Sequence, residues 1–407
     1  MAEAFSQGGA ARAPWVIVAG GFHRLGGMDK ANAALARYLA SRGHELHLVT
    51  HEVEPELAAH PGVTAHLVRR PAGSVVLGEG LLARRGREVA RAVAARDARA
   101  RVVVNGGNCP WPDINWAHCV HRAWPAADAG APAWFKAKNR LTGALARARE
   151  RRALGRARLV VANSERTRRD LLERLGVEPE RVRVVRLGGG AGRGAATEAE
   201  RRAARARLGV SEARAVVAFV GALGRDNNKG FDILWLAWQE LQARGAWDAD
   251  LLVAGGGGGV AGWRARAAAS GLGDTVRVLG FVEKVDDVYA AADLLVSPAR
   301  YESYGLNVSE AVARGTPALV SARAGVADDY PPELGAMLLP DPEDAADLAR
   351  RLLDWRADVP GWRARFAPLA ARLRGRTWDD MAAEFVAHAE GEGAAGGAAT
   401  RYASCPA

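Results

Sequence analysis

Lysine is scarce in this chain of 407 residues, standing at only five positions: Lys30, Lys136, Lys138, Lys229 and Lys284. The net charge of +10 therefore rests on arginine, scattered among alanines along the whole length. A nucleic-acid surface calls for clustered cations interleaved with aromatics on one face. The scatter argues against nucleic acid and reads as solvated helix faces. A phosphorylated ligand or an anionic membrane surface remains compatible with the charge. Cysteine is equally sparse. Cys109, Cys119 and Cys405 have neither metal-ligand spacing nor the look of a disulfide framework. A reducing, cytoplasmic compartment is expected. Long apolar runs are missing too, so no bilayer span is expected. The opening MAEAFSQGGAARAP lacks the apolar core of a signal peptide and reads as a short disordered lead-in.

Short apolar, β-branched runs alternate with Ala-rich helical stretches, the pattern of parallel α/β layers. The length favours two domains. WVIVA, ELHLVT, VTAHLV, RVVVN, DINWAHCVH, LVVANS and RVRVVRL read as strands of a first half, residues 1–187. GGGAGRGAAT, from Gly188 to Thr197, reads as a hinge. Thr197 and Glu200 have capping-box spacing, so a helix starts there and opens a second half, residues 197–376. Its strands are AVVAFVG, ADLLVAGG, TVRVLG, DLLVSP and PALVSA. A helix over 377–390 and a low-complexity, disordered tail over 391–407 complete the reading. The fold class is α/β, with two doubly wound, Rossmann-like domains.

The strongest motif is SPARYESYGLNVSEAVARGTPALVS, in which seven residues separate Glu302 from Glu310. Glu302 sits in a loop after an apolar strand, and Glu310 lies inside the following helix. Gly305 and Leu306 open that helix, where bare backbone N–H groups can meet a phosphate. Open α/β sheets bind ligands at the carboxyl ends of their strands, which is where this loop must lie. In FVGALGRDNNKGFDIL, Arg225 and Lys229 are presented at another strand's carboxyl end, two cations suited to a diphosphate. Gly26 and Gly27 follow the first strand and allow close backbone approach. Their spacing is not that of a dinucleotide fingerprint, and Glu52 alone is a weak ribose acid, which argues against a dehydrogenase. Gly255, Gly256 and Gly257 mark one more strand end. Phe281 and Val282 follow TVRVLG. Asp248 and Asp250 match a D-x-D metal motif by letters, but they precede a strand. They read as solvated polar residues, and no metal is expected.

The Glu302-x7-Glu310 segment, flanked by VLGFVEKVDDVYAAADLLVSP and GTPALVSARAGVAD, resembles the donor-binding signature of family 4 glycosyltransferases. The resemblance runs from about Trp15 to about Arg356 and is strongest in the second half. It implies a GT-B fold, in which two Rossmann-like domains face a central cleft and a C-terminal helix crosses back to the first domain. It implies retaining, metal-independent transfer, with no cofactor, from a UDP-, GDP- or ADP-sugar to a glycan, lipid-linked or small-molecule acceptor. A role in cell-envelope polysaccharide or glycolipid biosynthesis would follow. By this likeness Glu302 holds the sugar, Glu310 the ribose, and Lys229 the diphosphate. Gly26 and Gly27 face the diphosphate, while Gly255, Phe281 and Val282 lie near the base. The family's usual arginine position is Ala222 here, and Arg225 is the substitute. A first-domain histidine meets the sugar, with His121 the better match and His118 the reserve. Asn108 and Asp113 lie in a loop that can meet either substrate. The basic stretch from Trp134 to Arg156 offers a peripheral contact with an anionic inner membrane face, against the alternative of a solvated helix. A nucleotide-sugar epimerase of the same fold is the main alternative.

Overall fold

The computed structural model describes residues 12–124, 132–189, 194–245 and 247–391. The lead-in up to residue 11, the middle of the Gly188–Thr197 hinge and the tail beyond residue 391 lie outside the described residues. The first half runs β1 (Trp15–Val18), β2 (Gly21–Phe22), α1 (Gly27–Ser41), β3 (Leu46–Thr50), β4 (Glu52–Val53), α2 (Pro55–Ala58) and β5 (Val63–Leu67). It continues with α3 (Val75–Arg96), β6 (Arg101–Asn105), β7 (Ile114–Ala117), α4 (Ala133–Arg156), β8 (Leu159–Ala162), α5 (Glu165–Leu175) and β9 (Val182–Val184). The second half runs α6 (Glu198–Leu208), β10 (Ala215–Val220), α7 (Phe231–Ala243), β11 (Ala249–Ala254), α8 (Val260–Ala269), β12 (Val276–Gly280) and α9 (Val285–Ala291). Then come β13 (Leu294–Ser297), α10 (Leu306–Ala313), β14 (Ala318–Ser321), β15 (Leu338–Leu339), α11 (Ala345–Ala357), α12 (Val359–Gly375) and α13 (Trp378–Gly391).

The two main sheets are wholly parallel, ordered β5-β3-β1-β6-β7-β8-β9 and β12-β11-β10-β13-β14-β15. Each reverses direction beside its first strand, next to β1 and next to β10. These are the switch points where open sheets leave a crevice for ligands. Near-continuous Val, Ile, Leu and Ala in β1, β6, β8 and β13 bury both faces of those strands. Local chemistry sets the helix starts. Ser164 caps α5 by accepting from the Thr167 N–H, and Thr197 with Glu200 forms a full capping box on α6.

The last helix, α13, packs on the first domain: Met381 and Phe385 are fully buried in its core, and Phe385 lies 4.8 Å from the Trp116 ring. The two chain crossings run side by side. Gly189 N–H donates to the Arg376 carbonyl, and a Cβ at Gly188 would lie 2.4 Å from the Thr377 carbonyl oxygen. Only glycine lets the two crossings touch there. Among the described residues, no helix is long and apolar enough to cross a membrane.

Candidate active site in the interdomain cleft

The loops after β10, β11 and β13 lock into one another at the carboxyl edge of the second sheet. Leu223 N–H donates to the Gly256 carbonyl at 2.8 Å, and Gly259 N–H to the Leu223 carbonyl at 2.8 Å. A Cβ at Gly255 would lie 1.7 Å from the Gly221 oxygen, and one at Gly230 would lie 2.0 Å from the Pro298 oxygen. Glycine is thus demanded by close backbone approach. Arg300, whose side chain is 9% exposed, joins the loop after β13 to Asp232 at 2.8 Å and to Glu343 at 2.5 Å. Asn228 donates from its side chain to the Tyr301 carbonyl at 3.0 Å.

This scaffold brings Lys229 Nζ to 2.5 Å from Glu302 Oε2. The helix that carries Glu310 begins at Leu306, with Gly305 as a cap in the left-handed region (φ 106°). No side chain caps this first turn; the Val308 and Ser309 N–H groups bond the Gly305 carbonyl, and those of Leu306 and Asn307 have no hydrogen-bond partner among the described residues. Asn307 anchors the first turn by donating to the Val220 carbonyl at 2.8 Å. Glu310 Oε2 accepts from Tyr289 at 3.2 Å, and Oε1 accepts from Lys30 of the first domain at 2.5 Å. Burial and the Glu310 carboxylate hold the Tyr289 phenol protonated, well above its ordinary pKa.

The first domain meets this edge closely. A Cβ at Gly27 would lie 3.7 Å from Leu306 Cδ2, and Gly26 caps α1 with a positive φ of 77°. Ser164 donates to the Ser303 carbonyl at 2.5 Å, beside Glu302. The Val120 N–H donates to the Tyr301 hydroxyl at 2.8 Å. The Cys119 thiol is pushed up to about 12 by burial and by the nearby Glu150 and Glu302 carboxylates.

The histidines fall differently from the strand reading. Strand β7 stops at Ala117, and His121 opens a separate turn of 3-10 helix, His121–Ala123. His121 Nδ1 lies 3.0 Å from the fully buried Glu150, whose hydrogen bond raises the imidazole pKa. His118 is buried against Trp116, and burial lowers its pKa to about 3. Its Nε2 is a buried atom without a hydrogen-bond partner among the described residues. His121 is therefore tied to α4, while His118 sits neutral on the segment that packs against residues 301–303.

Other expectations divide. Arg225 is exposed and makes no ion pair among the described residues. Phe281 is 68% exposed at the rim of the glycine loop, with Val282 half-buried beside it. Asp113 is buried and bonded to Arg158 and the Val102 N–H, which makes it a structural residue. Asp250 is not solvated: it lies within β11, buried and paired with Arg214 at 2.7 Å, while Asp248 pairs with Arg356. Sequence reasoning passed over Lys30, Tyr289, Asn228 and Arg300. Lys30 carried a signal, as one of few lysines and close behind Gly26–Gly27.

Two Rossmann-like domains, paired acids at a bare helix start and a facing glycine loop define a GT-B glycosyltransferase. Residues 25–188 match the family model "Glycosyltransferase Family 4", and residues 214–358 match "Glycosyl transferases group 1". A "D-inositol 3-phosphate glycosyltransferase" from Salinispora tropica is 31% identical over 390 residues, covering 87% of this chain and 78% of that relative. An "Alpha-D-kanosaminyltransferase" from Streptomyces kanamyceticus is 30% identical over 239 residues, 58% of this chain and 60% of that relative. A solved sucrose-phosphate synthase from Thermosynechococcus elongatus shares the fold, with a TM-score of 0.72 and 21% identity over 95% of this chain and all of that one. The chain belongs to the family 4 glycosyltransferases and is a hexosyltransferase-type enzyme.

Proposed function

We propose that the enzyme transfers a sugar with retention from a nucleotide-sugar donor to a small hydroxylated acceptor, without a metal ion. One observation carries this reading. Glu302, Glu310, Lys229 and the bare start of α10 converge on one sheet edge, opposite Gly26 and Gly27. The N–H groups of α10 and the Lys229 ammonium offer fixed positive charge to a diphosphate leaving group. An ammonium carries three donors, so Lys229 can steady Glu302 and still face the leaving oxygen. Glu302 is placed for sugar hydroxyls and Glu310 for ribose. The D-x-D carboxylates are engaged by Arg214 and Arg356 and are poorly placed to recruit a cation.

The inositol-phosphate and kanosaminyl transferases among the relatives favour a small acceptor, such as an inositol phosphate, seated on the first domain. His121, whose ring is 40% exposed beside Glu150, is the histidine open to a sugar, whereas His118 would first have to be uncovered. The test is product analysis by mass spectrometry in EDTA, with UDP-, GDP- and ADP-sugars and an acceptor set that includes inositol phosphates. A glycosylated product of retained anomeric configuration supports the reading. An altered sugar formed without acceptor turns it towards epimerisation. Strict dependence on added divalent metal sinks the metal-free claim.

A further inference from the structure

Lys30 lies in the first turn of α1, and its ammonium crosses the cleft to Glu310 Oε1 at 2.5 Å. The other carboxylate oxygen accepts from Tyr289, which is 2% exposed. Both Glu310 oxygens are therefore bonded within the chain. The Lys30 and Glu310 side chains keep 32% and 18% exposure, so the pair lines the cleft wall. Lys30 also sits 5.9 Å from the Trp378 ring centroid, at the start of the crossing helix α13. One side chain thus touches both domains and the second chain crossing. Gly27, at the same end of α1, packs on Leu306, the first residue of the proposed diphosphate cradle.

Resting on the donor reading above, we propose that Lys30 is a donor-binding residue that exchanges partners, leaving Glu310 for the donor diphosphate when ribose binds. A ribose hydroxyl must donate to a Glu310 oxygen. Tyr289 is buried and fixed on α9, so Oε1 is the oxygen that can be surrendered. Taking it strips the ammonium of its carboxylate, and a partly buried cation without a partner is costly. A diphosphate at the first turn of α10 is the anion that α1's own end faces.

The residue type fits exchange. A lysine is a point charge on a flexible stem, whereas an arginine fork grips a carboxylate with two donors. Two other interdomain ion pairs among the described residues use arginine: Arg169–Asp328 and Arg186–Asp329. The two carboxylates of the E-x7-E motif are met by Lys229 and Lys30 instead, in a chain with five lysines.

The test is calorimetric titration of UDP, GDP and ADP, and of uridine, guanosine and adenosine, into wild type, Lys30→Met and Lys30→Arg. Thermal melting checks that each variant is folded. For the diphosphate that wild type binds, Lys30→Met weakens binding roughly tenfold or more, the usual scale for a lost charge-assisted hydrogen bond. The matching nucleoside binds Lys30→Met at least as well as wild type, because no ammonium has to be displaced. Lys30→Arg weakens the nucleoside by gripping Glu310. Equal losses for diphosphate and nucleoside in Lys30→Met, or no change in either, overturn the exchange while the donor reading stands. Binding of none of the three diphosphates to folded wild type overturns the donor reading and the role of Lys30 with it.

Discussion

Replacing Gly255 by alanine tests the interlocked loops that floor the donor domain's cleft. The new Cβ would sit 1.7 Å from the Gly221 carbonyl oxygen, where ordinary contact begins at 3.4 Å. Backbone cannot yield as a side-chain tip does, so the two strand ends must part by about their present gap. Three hydrogen bonds lie in the path: Gly255 N–H to the Gly280 carbonyl at 2.7 Å, Leu223 N–H to Gly256 at 2.8 Å, and Gly221 N–H to Ala254 at 3.0 Å. At about 1 kcal/mol each, their loss totals about 3 kcal/mol. For a domain of this size that corresponds to a fall in Tm of roughly 6–12 °C. Differential scanning calorimetry reads it directly, and nucleotide titration at low temperature reads the cleft. A variant that melts within about 1 °C of wild type would refute the close-approach reasoning.

Other perturbations reach separate parts of the account. Asp293 is buried and accepts from Arg205 at 2.7 Å, from Arg363 at 3.1 Å, from Arg201, and from the Val216 N–H. Asp293→Ala strands the buried Arg205 guanidinium and costs about 3–5 kcal/mol by chemical denaturation; a loss below about 1 kcal/mol would contradict the network. The His118 pKa is lowered by burial, so the unfolded chain takes up a proton that the folded chain refuses. Its contribution to stability is present above about 6.5 and drains away as pH falls towards about 3, by up to roughly 1.4 kcal/mol per pH unit. His118→Gln flattens that acid limb, and an unchanged pH profile argues against a neutral buried ring. His121 has the opposite sign. Its pKa is raised by the Glu150 hydrogen bond, so its stabilisation is present at acid pH and is lost as pH rises above its ordinary range. Glu150→Gln lowers the His121 pKa in an NMR titration, and no movement would separate the pair. Glu302→Gln, which weakens the Lys229 pair, is expected to lower kcat more than donor affinity; a pure KM effect would move Glu302 out of the reaction centre.

Much of the fold could be read before the structure. Period and composition located the main strands of both sheets, and the capping box at Thr197–Glu200 marked where the second half begins. Glu302, Glu310 and Lys229 stand out as candidates because motif residues follow apolar strands whose ends must line a crevice, and the structure brings them to one sheet edge. Strand order and loop interlock were beyond reach, since nothing local in Gly255 or Gly230 says which carbonyl will approach. DINWAHCVH looked like one strand because its apolar residues continue past Ala117, yet a tertiary contact from Val120 to Tyr301 turns the chain there. Asp250 looked solvated because the sequence does not show Arg214 lying across it. Lys30 was legible only as a rarity, because its partner lies in the other domain.

Everything proposed for the cleft depends on a nucleotide-sugar donor binding the second domain through the E-x7-E helix. The most direct measurement is a titration of UDP-, GDP- and ADP-sugars in EDTA against wild type and Glu310→Ala, with released nucleoside diphosphate followed in parallel. One donor is expected to bind and to be slowly turned over, and Glu310→Ala to lose both while remaining folded. A folded wild type that binds none of them, or a Glu310→Ala variant that binds the donor undiminished, would contradict that expectation.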